Sequence, residues 1–124
     1  MCIGVEIMDK FYEITLLYDF YGELLTEKQK NVIELYYLND LSLFEIADEY
    51  NITRQAVLDM LKRTEKLLKQ YEDKLHLTKL YLERKRKLDE IDLDFAALIS
   101  KSTVSDDDKE SIQKLRKAVA EILE

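Results

Sequence analysis

Arg54 and Gln55 stand side by side just after Thr53. They are the two residue types whose side chains fork to base edges: a guanidinium donates twice to guanine O6/N7, and a carboxamide pairs both ways with adenine N6/N7. Thr53 is a helix N-cap residue type, which puts Arg54 and Gln55 in a first helical turn. Lys62, Arg63, Lys66 and Lys69 follow on the same run, where cations serve phosphates rather than bases. Asp59, between the two groups, repels phosphate or selects a cytosine amino group. The chemistry these residues suit is nucleic-acid recognition.

Other chemistry finds no support. His76 lies in the middle of a charged helical run, and Cys2 has no histidine near it in sequence. Asp48 and Glu49 are adjacent, so on a helix they point apart and form no carboxylate dyad. There is no phosphate loop, zinc-ligand spacing or nucleophile elbow. The expectation is a protein that is not an enzyme and takes no metal and no cofactor.

The elements that must hold Arg54 and Gln55 are legible around them. Ser42 with Glu45 three residues on is a capping box that opens a short helix. Leu43, Ile46, Ala47 and Tyr50 form its inner face. Ala47 is small enough for two helices to cross closely, and Asn51, four positions later, tolerates the positive φ of a sharp turn. Ile46, Ile52 and Val57 fill the wedge. These are the spacings of a helix-turn-helix over residues 42–70, whose second helix enters the major groove. Upstream, Phe11, Ile14, Leu17, Tyr18 and Tyr21 predict an amphipathic helix over 6–21, with Gly22 expected as a left-handed C-cap. Thr26 and Gln29 make another capping box, and that helix is expected to stop near Asn39–Asp40.

Downstream of Thr53, helix is expected through at least Tyr71, and no Gly or Pro forces a break before Leu88, although a bend near Asp73 is allowed. Val57, Leu61, Thr64, Leu68, Tyr71, Leu75, Thr78 and Leu82 form a seam that needs cover, from the N-terminal helix or from a second subunit. Asp89 to Phe95 alternates acidic and apolar, Ser100 to Asp108 reads as a loop, and Ile112, Leu115, Val119 and Ile122 mark a last amphipathic helix. The chain therefore divides into a helical domain over 1–88 and an acidic C-terminal segment with its helix over 89–124.

Composition agrees with an all-α class. The chain has 124 residues with no Pro and only two Gly, too few turn residues for a sandwich or barrel. No uncharged apolar run reaches membrane-spanning length, so no membrane insertion is expected. Glu6 and Asp9 with no basic leader argue against a secretory signal, and a single Cys against an oxidising compartment, so the location expected is cytoplasmic. Net charge is −7, but residues 53–88 hold 11 Lys/Arg against 5 Asp/Glu, and the remainder 8 against 21. An acidic body with one basic element can still steer that element toward an anion.

Residues 16–86, with LLT.KQ, LYYL.D.SL.EIA.EYN, RQAV and KRTE among them, strongly resemble the YlxM-type (UPF0122) family and, more distantly, the helix-turn-helix of sigma-factor region 4. The resemblance implies a sigma-4-like fold, a three-helix core of the winged-helix type without a wing, carrying a long C-terminal helical extension. It also implies a DNA-binding regulatory role and a part in the signal recognition particle pathway. Thr53, Arg54, Gln55, Ala56 and Val57 then begin the recognition helix. Leu58 and Met60 depart from the family's Tyr and Asn, and after about Leu88 the resemblance ends. Two readings follow. One is a nucleic-acid binder using Arg54, Gln55, Lys62 and Arg63. The other is an interaction module for the particle's protein, its RNA or its GTPase, suggested by the acidic remainder, an apolar Leu58/Met60 face and the Arg84–Lys87 cluster. A homodimer is compatible with both.

Overall fold

In the computed structural model, which describes residues 3–123 with side chains from Lys10, three side-chain caps start the helices of the first half. Cys2 lies outside the described residues. Helix α1 (Ile3–Tyr21) is followed by a 3-10 turn at Gly22–Leu24. Gly22 is not the left-handed cap expected, because no glycine has positive φ. Its value is closeness: a Cβ there would stand 3.0 Å from the Tyr18 ring. Thr26 caps α2 (Glu27–Ile33) through a complete capping box with Gln29. The helix then widens into one π-helical turn, Glu34–Leu38, which 3.6-residue periodicity did not indicate. Asp40, with φ 57°, reverses the chain, and Leu41 N–H donates back to the Leu35 carbonyl (2.9 Å).

Ser42 and Glu45 form the expected second box at the start of α3 (Leu43–Tyr50). Asn51 closes α3 in the left-handed conformation, φ 54° and ψ 46°. Asn51 N–H reaches the Asp48 carbonyl and Ile52 N–H the Ala47 carbonyl, a complete Schellman motif. Thr53 then caps α4 (Arg54–Leu75) by accepting from Ala56 N–H at 3.0 Å.

The helix breaks at His76, three residues past the bend allowed near Asp73 and with no Gly or Pro to mark it. His76 takes φ 56° and ψ 27°, and its N–H bonds the Glu72 carbonyl at 2.8 Å. Helix α5 (Leu77–Ile99) starts on distant partners: Leu77 N–H donates to Tyr21 Oη (3.1 Å) and Thr78 N–H to Glu72 Oε1 (3.0 Å). Tyr21 Oη in turn donates to the same carboxylate oxygen at 2.6 Å. The stretch 89–95, unassigned from sequence, continues α5. Helix α6 (Asp106–Ala120) opens on Ser105, with Asp106, Asp107 and Asp108 in the first turn, where the helix dipole favours them. Among the described residues there are no strands, and the all-α class holds.

The chain forms two compact units, Met1–Thr78 and Lys79–Glu124. The first has a core of Ile14, Leu17, Tyr21, Val32, Ile33, Ile46, Val57, Leu61 and Leu68, with Leu25, Tyr37 and Ala47. The seam expected from Val57 is thus covered within the chain through Leu68, with Tyr71 half-buried on the core and Thr78 buried; Thr64, wholly buried in it, donates its hydroxyl to the Met60 carbonyl at 2.8 Å. Leu75 and Leu82 are exposed. In the second unit no described residue is buried; α5 and α6 are tied by Arg116, whose Nε and Nη2 donate to the two Asp92 oxygens at 2.5 and 3.0 Å. No helix among the described residues is long and apolar enough to cross a membrane.

Candidate nucleic-acid interface

The recognition helix is set by its turn. Ile46 and Val57 are wholly buried, and Ala47 lets α3 cross close to α4 with Ile52 half-buried between them. Leu61, Thr64 and Leu68 bury a further face of α4 against α1 and α2, and the remaining face is outward. Thr53, Arg54 and Gln55 are exposed at the helix start, and Lys62, Arg63, Lys66 and Lys69 are exposed along it. Gln55, Asp59, Lys62, Lys66 and Lys69 recur by four and three residues, so they share one stripe, with Arg63 flanking it.

Three local contacts shape that stripe. Thr53 spends its hydroxyl lone pair on the Ala56 cap, so its part is to start the helix. Gln55 Nε2 donates to Asp59 Oδ1 at 3.0 Å. The acceptor-only carboxylate fixes which end of the amide is nitrogen, leaving Gln55 Oε1 and one N–H for a base edge. The Arg54 guanidinium carbon lies 5.6 Å from the centroid of the Phe44 ring, a cation–π contact at the mouth of the helix-turn-helix. Phe44, 60% exposed, was not anticipated as part of the site. Its signal was an apolar residue lying off the Leu43, Ile46, Ala47 and Tyr50 face.

Electrostatics favour the stripe more than the sequence count suggests. Glu65, which could interrupt it, turns inward to accept from Tyr37 Oη, and its side chain is 12% exposed, with Lys10 Nζ at 3.9 Å. Burial and the bond to Glu65 push the Tyr37 phenol far above its usual range. Asp59 remains the exposed acid among the cations. Leu58 and Met60 do not form the outward apolar face expected of them: both are half-buried, Met60 against the core and Leu58 beside Phe11, Tyr36 and Tyr37. Among the described residues no three His, Cys, Asp or Glu side chains gather as a metal site.

A family model described as "putative helix-turn-helix protein, YlxM / p13 like" (UPF0122) matches residues 8–115. Among individual proteins, a UPF0122 protein of Bacillus pumilus is 46% identical over 110 residues, which cover 89% of this chain and 96% of that one. One of Listeria innocua is 40% identical over 110 residues, 89% of this chain and 97% of its own. One of Desulforamulus reducens is 55% identical over 84 residues, 68% and 72% of the two chains. The family match extends past the point near Leu88 where the resemblance in sequence was expected to stop.

Proposed function

The chain belongs to the UPF0122 family of YlxM/p13-like helix-turn-helix proteins, and from that membership we propose a non-catalytic, DNA-binding regulatory protein of the cytoplasm. The observation that carries the proposal is the cationic stripe of α4, exposed on a helix whose opposite face is locked into the core. In this reading Arg54 and Gln55 contact base edges, Thr53 sets the helix start, and Lys62, Arg63, Lys66 and Lys69 neutralise phosphates. A homodimer belongs to the reading, since helix-turn-helix dimers match two-fold targets.

The test is retention on random and selected DNA across a salt series. Four phosphate contacts per protomer give a log–log salt slope of about −3.6 for each protomer bound. Lys66→Ala is expected to weaken all sequences alike and lower that slope by about 1, whereas Arg54→Ala relaxes base preference by about 1–3 kcal/mol. Absence of retention on any DNA or RNA at low salt defeats the proposal.

A second reading keeps the fold and changes the partner: docking on the signal recognition particle protein or its RNA without sequence-specific DNA binding. The acidic excess outside residues 53–88, 21 Asp/Glu against 8 Lys/Arg, favours it, because such a surface suits a basic protein. Co-purification of particle protein and RNA, with no DNA preference, selects this reading over the first.

A further inference from the structure

Lys79–Glu124 is a hairpin without a core of its own. Although none of its described residues is buried, α5 carries Tyr81, Leu88, Ile91, Phe95 and Leu98, α6 carries Ile112, Leu115 and Val119, and Ile122 follows in the 3-10 turn Glu121–Leu123, at steps of three, four and seven. That spacing keeps one apolar seam facing a partner along the length of each helix. Between the helices lies an open groove of about 370 Å³, walled by Tyr81, Leu88, Phe95, Val119 and Leu123. The seams border water as well, with Leu115 57% and Ile122 66% exposed. Two helices totalling fewer than 50 residues bury too little to hold themselves together, so a further surface must close on them.

Charge selects what closes. Arg116 meets Asp92, so residues after 116 run beside those before 92, and together they make the open end of the hairpin. That end carries the Arg84–Lys87 cluster: residues 79–91 hold five Lys/Arg against three Asp/Glu, and residues 117–124 one against two. The half containing the turn carries Asp106, Asp107 and Asp108, with six Asp/Glu against four Lys/Arg over residues 92–116. A second copy laid antiparallel sets each Arg84–Lys87 cluster toward the other's Asp106–Asp108 while the four seams face one another. A parallel pairing stacks like charge on like. The antiparallel arrangement is two-fold, uses the same patch twice and leaves no free complementary surface.

From these features we infer that the α5–α6 hairpin is the homodimerisation surface of this chain, closing with a second copy as an antiparallel four-helix bundle. The inference rests on the homodimer reading above and adds the surface and its orientation. Sedimentation equilibrium of the full chain at micromolar concentration and moderate salt is expected to give twice the 14.8 kDa chain mass. Ile91→Glu with Leu115→Glu places two charges in the seams and is expected to weaken association by about 100-fold, with the first unit's helicity and melting retained. Reversing Arg84, Lys85, Arg86 and Lys87 to Glu is expected to give monomer. Adding Asp106, Asp107 and Asp108 to Lys in the same chain is expected to restore the dimer, which also shows that the variant hairpin folds. A monomeric native chain at about 100 µM overturns dimer and surface together. A dimer indifferent to every variant overturns the surface alone, leaving a dimer through another face. Dissociation by the seam charges without rescue by the double reversal overturns the antiparallel orientation.

Discussion

Arg54 has an aromatic platform and Gln55 a carboxylate anchor, so neither candidate base-reading side chain is free to wander. Holding a long side chain in its bound rotamer reduces the entropy lost on binding, and that is what Phe44 contributes to Arg54. Phe44→Ala is expected to leave unfolding free energy within about 0.5 kcal/mol, since the ring is mostly exposed, while weakening binding by about 0.5–1 kcal/mol. Urea denaturation and fluorescence anisotropy with a selected duplex read the two effects separately. Asp59→Ala acts in the opposite sense: it removes a charge that repels phosphate and releases Gln55. Affinity for random DNA is expected to rise a few-fold while discrimination at the base facing Gln55 falls, an outcome visible in a panel of single-base variants. The Gln55–Asp59 pair has an i, i+4 spacing that sequence offers, although Asp59 was expected only to repel phosphate or select a cytosine amino group. The Arg54–Phe44 contact was not legible, because the two residues share no helix and meet only after the Asn51 turn has folded.

At the scale of the element, what could be read was what is local. The capping boxes at Thr26 and Ser42, the Thr53 cap and the left-handed Asn51 each involve residues within about four positions, so composition and spacing carried them. The break after Leu75 could not be read, because its cause lies far away in sequence: Tyr21, 56 residues from Leu77, supplies the oxygen that caps α5. Tyr21→Phe removes that acceptor from Leu77 N–H and a donor from the Glu72 carboxylate in one step. A loss of about 1–3 kcal/mol in unfolding free energy is expected, with amide exchange at Leu77 and Thr78 accelerating more than at Leu61. The π-helical turn at Glu34–Leu38 was invisible for another reason: it shifts the register by one residue inside a run whose apolar positions suit either winding.

Over the molecule as a whole, the charge partition was legible by counting, but the fate of individual acids was not. Glu34, Glu65 and Glu72 look like surface carboxylates in sequence, yet each accepts from a tyrosine hydroxyl, on Tyr18, Tyr37 and Tyr21 respectively. These bonds tie α1, the Glu34–Leu38 turn and α4 together around the core and withdraw Glu65 from the cationic stripe. In all three tyrosines burial is the largest cause of a raised phenol pKa, followed by the hydrogen bond to the carboxylate. The unfolded chain releases these protons near pH 10, whereas the native fold keeps them to higher pH. The stabilising contribution is therefore complete below about pH 10 and declines as pH rises from there toward the folded values, because the unfolded state binds fewer protons than the native one. Each tyrosine adds at most about 1.4 kcal/mol per pH unit to that decline. Urea midpoints of the full chain are expected to hold roughly level with respect to these tyrosines from pH 7 to about 9.5 and to fall steeply by about pH 11. Tyr37→Phe is expected to lower stability at pH 7 but to flatten the alkaline limb by one tyrosine's share, since phenylalanine has no proton to lose. An alkaline limb of unchanged steepness in Tyr37→Phe means that the Tyr37–Glu65 bond does not hold the phenol protonated, and then Glu65 returns to the surface as an acid among the lysines of α4.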